Sequence, residues 1–133
     1  MELKGIIEKG ENRSLTCCSS IEDLIIGDVS LFDWLEQLFK QDPEEHFNGN
    51  GATPEYAVKY VILDTPDLEN RSFNDLSAEV IHNMIYADYE GGCYSEYTCG
   101  YGGFDYVLGK PGEGHSVFDE LKEHLGKYVH FQI

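Results

Sequence analysis

The sequence predicts a single α+β domain spanning residues 1–133, with a mainly antiparallel sheet of about five to six strands and three to four helices packed largely on one face. Three observations lead to this prediction. A length of 133 residues is typical of one domain. Segments that read as strands interleave irregularly with segments whose apolar residues have helical spacing. Aromatic residues form 13% of the chain, which argues against disorder.

The N-terminal region predicts a hairpin followed by a short helix. Residues 3–8 and 14–18 are rich in apolar or β-branched residues, and the intervening KGEN has the composition of a turn. From Ser20 the apolar residues take helical spacing, and Gly27 is expected to stop the helix. The expected buried residues are Ile21, Leu24 and Ile25.

The strongest helical pattern begins at Ser30, which forms a capping pair with Asp33. The helix should end near Gln41, because Pro43 disfavours helical geometry at the preceding residue. Its expected buried face comprises Leu31, Trp34, Leu35, Leu38 and Phe39. The following PEEHFNGNGATPE has the composition of an acidic loop.

The middle of the chain predicts three strands and one helix. Residues 57–63 form a near-continuous apolar run, which is typical of a strand inside a sheet. Residues 76–86 predict a helix with Leu76, Val80 and Met84 turned inward. Residues 93–99 and 104–108 predict a second hairpin, joined by a glycine-rich turn.

The C-terminal region predicts a helix and a final strand. Ser116 and Asp119 form a third capping pair, which begins a helix over residues 117–125. Its expected buried residues are Phe118, Leu121 and Leu125. Residues 128–133 alternate, so that Val129, Phe131 and Ile133 should face the core and Tyr128, His130 and Gln132 should face outward. No internal repeat is evident.

The charge balance is strongly acidic. Twenty-five acidic residues face nine basic ones, and the formal net charge is -16. Nucleic acids and anionic membranes are therefore poor direct partners, because binding them depends on Lys and Arg. The chain has neither a long apolar span nor the apolar core of a secretory signal, so we expect a cytoplasmic location. There Cys17, Cys18, Cys93 and Cys99 would stay reduced.

Residues 86–109 form the most distinctive stretch. They contain six of the nine tyrosines, two of the four cysteines and six glycines. The longer run from Ser72 to Gly109 contains no Lys or Arg. Tyr94, Tyr97, Tyr101 and Tyr106 are expected to project around a glycine-hinged hairpin tip, although tyrosines are also ordinary sheet residues. A concentration of Tyr in an acidic segment is typical of a protein-binding surface.

Metal and disulfide chemistry is not expected of the cysteines. Structural zinc sites take paired ligands two to four residues apart, whereas five residues separate Cys93 from Cys99, and Cys17 and Cys18 are adjacent. On one straight strand the Cα atoms of Cys93 and Cys99 would lie about 20 Å apart, beyond the disulfide limit of about 7 Å. Burial as small apolar residues is the simpler interpretation. We expect no cofactor and no metal.

Catalytic and phosphate-binding sites are also weakly supported. A Cys-His nucleophilic site would combine Cys93 or Cys99 with His82, His115 or His130, but no nucleophile motif is present. The turn CGYGGF lacks the phosphate-loop motif, and no helix start follows it.

The leading hypothesis is a non-enzymatic inhibitor or immunity-type protein that mimics DNA. It would occlude a basic, nucleic-acid-binding surface of a partner such as a nuclease, in an anti-CRISPR, anti-restriction or toxin-neutralising role. The residues expected to bind the partner are Asp88, Tyr89, Glu90, Tyr94, Glu96, Tyr97, Tyr101 and Asp105.

Two alternatives remain open. One is a small enzyme or ligand-binding module with a pocket near Cys93, Cys99 and Tyr101. The other is a subunit of a larger assembly, in which the acidic face balances a basic neighbour.

Overall fold

A computed structural model describes residues 1–16, 19–39, 55–64, 79–90, 103–110 and 113–133. In these ranges the chain is mostly antiparallel sheet, with eight strands and only two helices, so the predicted α+β fold with five to six strands and three to four helices is wrong. The elements are β1 (Glu2–Thr16), β2 (Ser19–Ile26), β3 (Val29–Ser30), α1 (Leu31–Phe39), β4 (Tyr56–Leu63), β5 (Ile81–Glu90), β6 (Gly103–Leu108), β7 (His115–Ser116), α2 (Val117–Lys122) and β8 (Tyr128–Gln132).

The strands form one sheet in the order β3-β2-β1-β8-β4-β5-β6-β7, with every neighbouring pair antiparallel. The sheet curves into a half-barrel, which brings β2 close to β6 although four strands separate them in the sheet. Both helices pack on one face, which we call the inner face, and the opposite face is the outer face. The inner face buries most of the apolar side chains in one cluster with the two helices.

The order of the elements reveals an internal repeat, so the sequence-based expectation of none is wrong. The N-terminal half runs β1-β2-β3-α1-β4, and the C-terminal half runs β5-β6-β7-α2-β8. Each helix follows a two-residue strand and begins with a related sequence, SLFD at Ser30 and SVFD at Ser116. The preceding strands end in the related sequences DLIIG at Asp23 and DYVLG at Asp105.

The strand registers relate the two halves by a pseudo-two-fold axis. If Ser30 is aligned with Ser116, the strand registers align β1 with β5 and β8 with β4. The pair Leu3–Phe131 of β1 and β8 then corresponds to the pair Ile81–Tyr60 of β5 and β4. The central pair Tyr60–Phe131 is then its own counterpart. The axis passes between these residues, whose ring centroids lie 4.9 Å apart on the inner face.

The two halves interlock across this axis. β1 of the N-terminal half pairs with β8, and β5 of the C-terminal half pairs with β4. The helices also cross over, because α2 contacts β2 and two rings of α1 contact β6. The rings of Phe32 and Phe39 lie 5.6 and 5.2 Å from the ring of Tyr106. Each half therefore completes its core with side chains of the other.

The predicted first hairpin and the predicted helix from Ser20 are both wrong. Residues 2–16 form one long strand, and β2 occupies the residues expected to be helical. The expected turn is a bulge, in which two residues of β1 face Asp23 of β2. A Cβ atom on Gly10 would lie 2.9 Å from the Asp23 carbonyl, so glycine allows this close approach. Ile21 and Leu24 lie on either side of the bulge and pack in the same core cluster, so apolar residues three positions apart imitate helical spacing.

The predicted helix over residues 76–86 is wrong where the structure describes it, because residues 81–90 form β5. Residues 76–78 lie outside the described ranges. The strand resembles a helix in sequence because apolar residues point to both of its faces, Ile85 inward and Tyr86 outward.

Several element predictions are confirmed. The helix from Ser30 is present, and the Ser30 hydroxyl accepts a hydrogen bond from the Asp33 amide at 3.1 Å. Ser116 caps α2 in the same way. The strand predicted at 57–63 is β4, which lies inside the sheet, and the strand at 104–108 is β6. The predicted partner strand 93–99 lies outside the described residues.

The C-terminal predictions hold in part. Val129 and Phe131 are buried in the core as expected. However, α2 ends at Lys122, and Leu125 beyond it is 45% exposed. Tyr128 faces away from the inner core as expected, but it is buried on the outer face with Val61 and Leu63.

Asp23 connects β2, β3 and α1. Its carboxylate is buried and accepts hydrogen bonds from the Leu24 amide at 2.8 Å, the Phe32 amide at 3.0 Å and the Ser30 hydroxyl. Arg13 of β1 lies 3.7 Å from the same carboxylate and donates a hydrogen bond to Asp33 of α1 at 2.8 Å. This network holds the start of α1 against β1 and β2 and provides acceptors for the Phe32 and Asp33 amides, which have no partner within the helix.

We expect Asp23→Ala to lower the free energy of unfolding by about 3 to 5 kcal/mol, because it leaves buried donors and a partly buried guanidinium without their acceptor. Urea denaturation measures this change. Asp64→Ala is the matched control, since Asp64 is 83% exposed at its side chain and forms a surface ion pair with Lys127. That variant should lose less than about 1 kcal/mol. Equal losses in the two variants would contradict a structural role for the Asp23 network.

Candidate interaction surfaces

The predicted partner-binding residues are only partly described. Asp88, Tyr89 and Glu90 form the end of β5, and Asp105 lies in β6. The backbone register pairs Asp88 with Asp105 and Glu90 with Gly103. The other predicted residues, Tyr94, Glu96, Tyr97 and Tyr101, lie outside the described ranges.

The register places Asp88 and Glu90 at outer-face positions of the sheet. Ile85 and Ala87 belong to the inner core, so the alternation along β5 assigns positions 88 and 90 to the opposite face. These positions stand at the end of β5 that leads into the part of the chain without Lys or Arg. The sequence around this end of the sheet is therefore acidic and contains no Lys or Arg.

The internal repeat relates Asp105 to a residue of the N-terminal half. The repeat places Asp105 at the position that Asp23 occupies in the N-terminal half. Asp23 binds the start of α1 and is buried. The equivalence is one of backbone position and local sequence.

Two tyrosines of the distinctive stretch belong to the folded interior. Tyr106, which was expected to project around the hairpin tip, is only 1% exposed and contacts Phe32 and Phe39. Tyr86 is 9% exposed. The prediction for Tyr106 is wrong because the sheet curves and brings α1 over β6. Both tyrosines are therefore buried, Tyr106 in the inner core and Tyr86 on the outer face.

The predicted pocket near Cys93, Cys99 and Tyr101 lies outside the described residues, as do Cys17 and Cys18. Within the part of the chain that the structure describes, no group of three or more His, Cys, Asp or Glu side chains could hold a metal ion. A shallow depression of about 320 Å³ lies elsewhere, at the central strands. It is lined by Ala57, Val58, Lys59, His82, Gln132 and Ile133.

On the outer face, residues with basic side chains that are distant in sequence are neighbours around the pseudo-two-fold axis. Lys4 pairs with His130 across β1 and β8, and His82 pairs with Lys59 across β5 and β4. The repeat relates these two Lys-His pairs to each other, with Lys4 equivalent to His82 and His130 equivalent to Lys59. Their sequence positions are far apart, so only the strand pairing brings them together.

The depression arises where the pseudo-symmetry fails. Ala57 stands at the position that Tyr128 occupies in the other half, by the same register equivalence. Tyr128 is buried in a small outer-face cluster with Val61 and Leu63, whereas the small side chain of Ala57 leaves open space beside Lys59. The two halves thus present an apolar cluster on one side of the axis and a polar depression on the other.

His130 lies in a partly buried, positively charged environment. Its side chain is 12% exposed, and burial lowers its pKa below the ordinary value for imidazole. Lys4 and Lys59 lower the pKa further, while Glu2, whose carboxylate lies 3.4 Å from Nε2 of His130, opposes the shift. The neutral form of His130 is therefore favoured in the folded protein.

Comparison with known proteins identifies no relative. No protein-family model, curated protein or solved structure matches the chain. Neither helix in the described ranges is long and apolar enough to cross a membrane.

The lowered pKa of His130 predicts a loss of stability in mild acid. The unfolded chain binds the proton at a higher pH than the folded chain, so the stabilisation is complete above the unfolded pKa of 6.5 and falls as the pH drops through the folded pKa. Urea denaturation across this window should show a smaller pH dependence for His130→Gln than for the unmodified protein. An imidazole pKa at or above 6.5, measured by NMR titration of His130, would contradict this assignment.

Proposed function

We propose that the protein is an acidic cytoplasmic inhibitor or immunity-type binding protein that occludes the basic, nucleic-acid-binding surface of a partner such as a nuclease. It acts as a mimic of the phosphate backbone and needs no catalysis of its own. The proposal assigns the contact to the β5–β6 end of the sheet and to the chain segment between these strands.

The proposal rests on the separation of basic residues from the acidic end of β5. Among the described residues, Arg13, Lys122 and Lys127 pair with carboxylates of Asp33, Glu22 and Asp64. Lys4 and Lys59 lie at the centre of the outer face. The end of β5 that carries Asp88 and Glu90 leads into a run without Lys or Arg, so no basic residue close in sequence offsets its negative charge.

Long-range attraction and short-range contact have different sources in this proposal. The net charge of -16 accelerates encounter with a basic groove, because opposite fields steer association. Contact area is supplied by Tyr89, Tyr94, Tyr97 and Tyr101, since aromatic side chains dominate many interfaces. Tyr86 and Tyr106 are excluded from this role by their burial. Glu96 adds charge between the tyrosines.

The internal repeat indicates which acidic residues are suitable for testing the proposal. The positions of β1 that correspond to Asp88 and Glu90 in the N-terminal half carry no buried carboxylate. Asp105 stands at the register position that Asp23 occupies in the N-terminal half, so a change there could affect folding as well as binding. The test therefore uses Asp88 and Glu90.

We expect the protein to inhibit DNA cleavage by a nuclease encoded beside its gene, and the double variant Asp88→Asn, Glu90→Gln to associate about tenfold more slowly at low salt. The difference should shrink as salt rises, because surface charges are screened over about 8 Å at physiological ionic strength. Stopped-flow association and a cleavage assay measure the two effects.

The matched control is Glu8→Gln, Glu113→Gln, which removes the same charge from two exposed positions elsewhere in the chain, in β1 and in the connection between β6 and β7. It should slow association by less than about twofold if the contact is local. Equal slowing by both double variants, or an association rate indifferent to salt, would reject the assigned surface.

A further inference from the structure

The guanidinium group of Arg13 lies against one face of α1 in the N-terminal half. It donates a hydrogen bond to Asp33 at 2.8 Å and lies 5.1 Å from the centre of the Phe32 ring. Glu36, on the next turn of α1, interacts with it electrostatically. A carboxylate and an aromatic ring on one helix face thus bind a guanidinium group, and both kinds of contact favour this planar cation.

The same helix face recurs in the C-terminal half without the arginine. The repeat aligns the Phe-Asp pair of α1 with Phe118 and Asp119 of α2. The Asp119 amide donates a hydrogen bond to the Ser116 hydroxyl, as the equivalent groups do at the start of α1. The strand registers align Arg13 with Glu90 of β5. The C-terminal half therefore keeps the two helix residues but has an acidic residue at the position of the arginine.

A depression of about 240 Å³ lies beside this face of α2, between the helix and β2. Phe118 and Asp119 line it together with Lys122, and Glu22 lines it from β2. The helix face that binds Arg13 in one half therefore borders open space in the other.

The charges that line the depression favour a cation. Lys122 donates a hydrogen bond to Glu22 and interacts electrostatically with Asp119, so two carboxylates share one ammonium group. Lys9 of β1 also acts on Glu22, but it does not line the depression. A further positive charge would therefore meet an excess of carboxylate in the lining. The net charge of -16 adds a long-range attraction for cations.

The lining also distinguishes between kinds of cation. A guanidinium group is planar and weakly hydrated, presents N–H groups that match a carboxylate, and stacks on aromatic rings. An ammonium group is compact and more strongly hydrated, so it gains less beside a ring. The depression combines the Asp119 carboxylate with the Phe118 ring, which suits the guanidinium group.

We infer that the depression between β2 and α2 binds a guanidinium group. Asp119 accepts hydrogen bonds from this group, and Phe118 provides the aromatic surface, as their counterparts in α1 do for Arg13. The group belongs either to a small guanidinium compound or to an arginine side chain of a protein. The inference is independent of the proposed inhibitory function, because it uses β2 and α2 and not the end of β5.

NMR titration with ethylguanidinium chloride tests the inference, with ethylammonium chloride at equal ionic strength as the reference. The amide resonances of Phe118 and Asp119 should shift saturably with ethylguanidinium, and ethylammonium should bind more weakly. No saturable shift with ethylguanidinium, or equal affinity for the two cations, would overturn the inference.

A blocked peptide that contains one arginine between glycines distinguishes the two sources of the group. Tighter binding of the peptide than of ethylguanidinium assigns the group to a protein, because the peptide backbone then adds contacts beside the depression. An affinity equal to or below that of ethylguanidinium assigns the group to a small compound.

Removal of the acceptor carboxylate locates the site. Asp119→Asn should weaken ethylguanidinium binding about fivefold, because an exposed ion pair is lost. The matched control is Glu55→Gln, which removes the same charge from an exposed position before β4 and should change the affinity less than about 1.5-fold. A folded Asp119→Asn variant that binds as tightly as the unmodified protein would overturn the inference.

A second variant should strengthen binding, which a loss of folding cannot imitate. Lys122→Glu introduces the acidic residue that α1 carries at the equivalent position, Glu36, and should raise the affinity about threefold. Lys4→Glu makes the same change of charge at an exposed position on the outer face and should raise it less than about 1.5-fold.

The amide spectrum of each variant provides the folding control. Equal weakening by Asp119→Asn and Glu55→Gln would show a general electrostatic effect and would overturn the inference. Equal strengthening by Lys122→Glu and Lys4→Glu would have the same meaning.

Discussion

The pairing of β4 with β8 is the constraint on which the rest of the structure depends. These strands end the two halves of the repeat, and each also pairs with the first strand of the other half. The pseudo-two-fold axis passes between Tyr60 and Phe131, whose rings are in contact on the inner face. Because apolar burial is the main favourable contribution to folding, and each half lacks the strand and the helix rings that cover its core, the halves stabilise one another.

The repeat also explains why the two edges of the sheet offer few backbone groups for pairing with another chain. Both edge strands contain two residues and continue directly into a helix that begins at a serine cap. Short edge strands offer few unpaired backbone groups to another chain. The N-terminal copy adds the buried Asp23, which accepts hydrogen bonds from both the cap residue Ser30 and the helix amide of Phe32. Related local sequences thus perform the same structural task at both edges.

The two halves differ in surface side chains at positions that the pseudo-symmetry makes equivalent. On the outer face, Tyr128 fills one side of the axis, while Ala57 leaves a depression on the other. The basic side chains beside this depression contrast with the net charge of -16. The acidic positions 88 and 90 stand at the far end of β5 from His82, about 20 Å away along an extended strand.

The sequence by itself determined the acidic character, the serine caps, the helix from Ser30 and the buried strand at 57–63, because these depend on composition and on residues close in the chain. Only the tertiary structure shows that β2 and β5 are strands rather than helices. A bulge beside Asp23 and apolar residues on both faces of β5 imitate helical spacing in the sequence. The tertiary structure also decided the Lys-His pairs and the burial of Tyr106, which depend on contacts between residues distant in sequence. The repeat was present in the sequence but obscured, because the glycine and the serine that mark it are separated by loops of different length, Gly27 to Ser30 and Gly109 to Ser116.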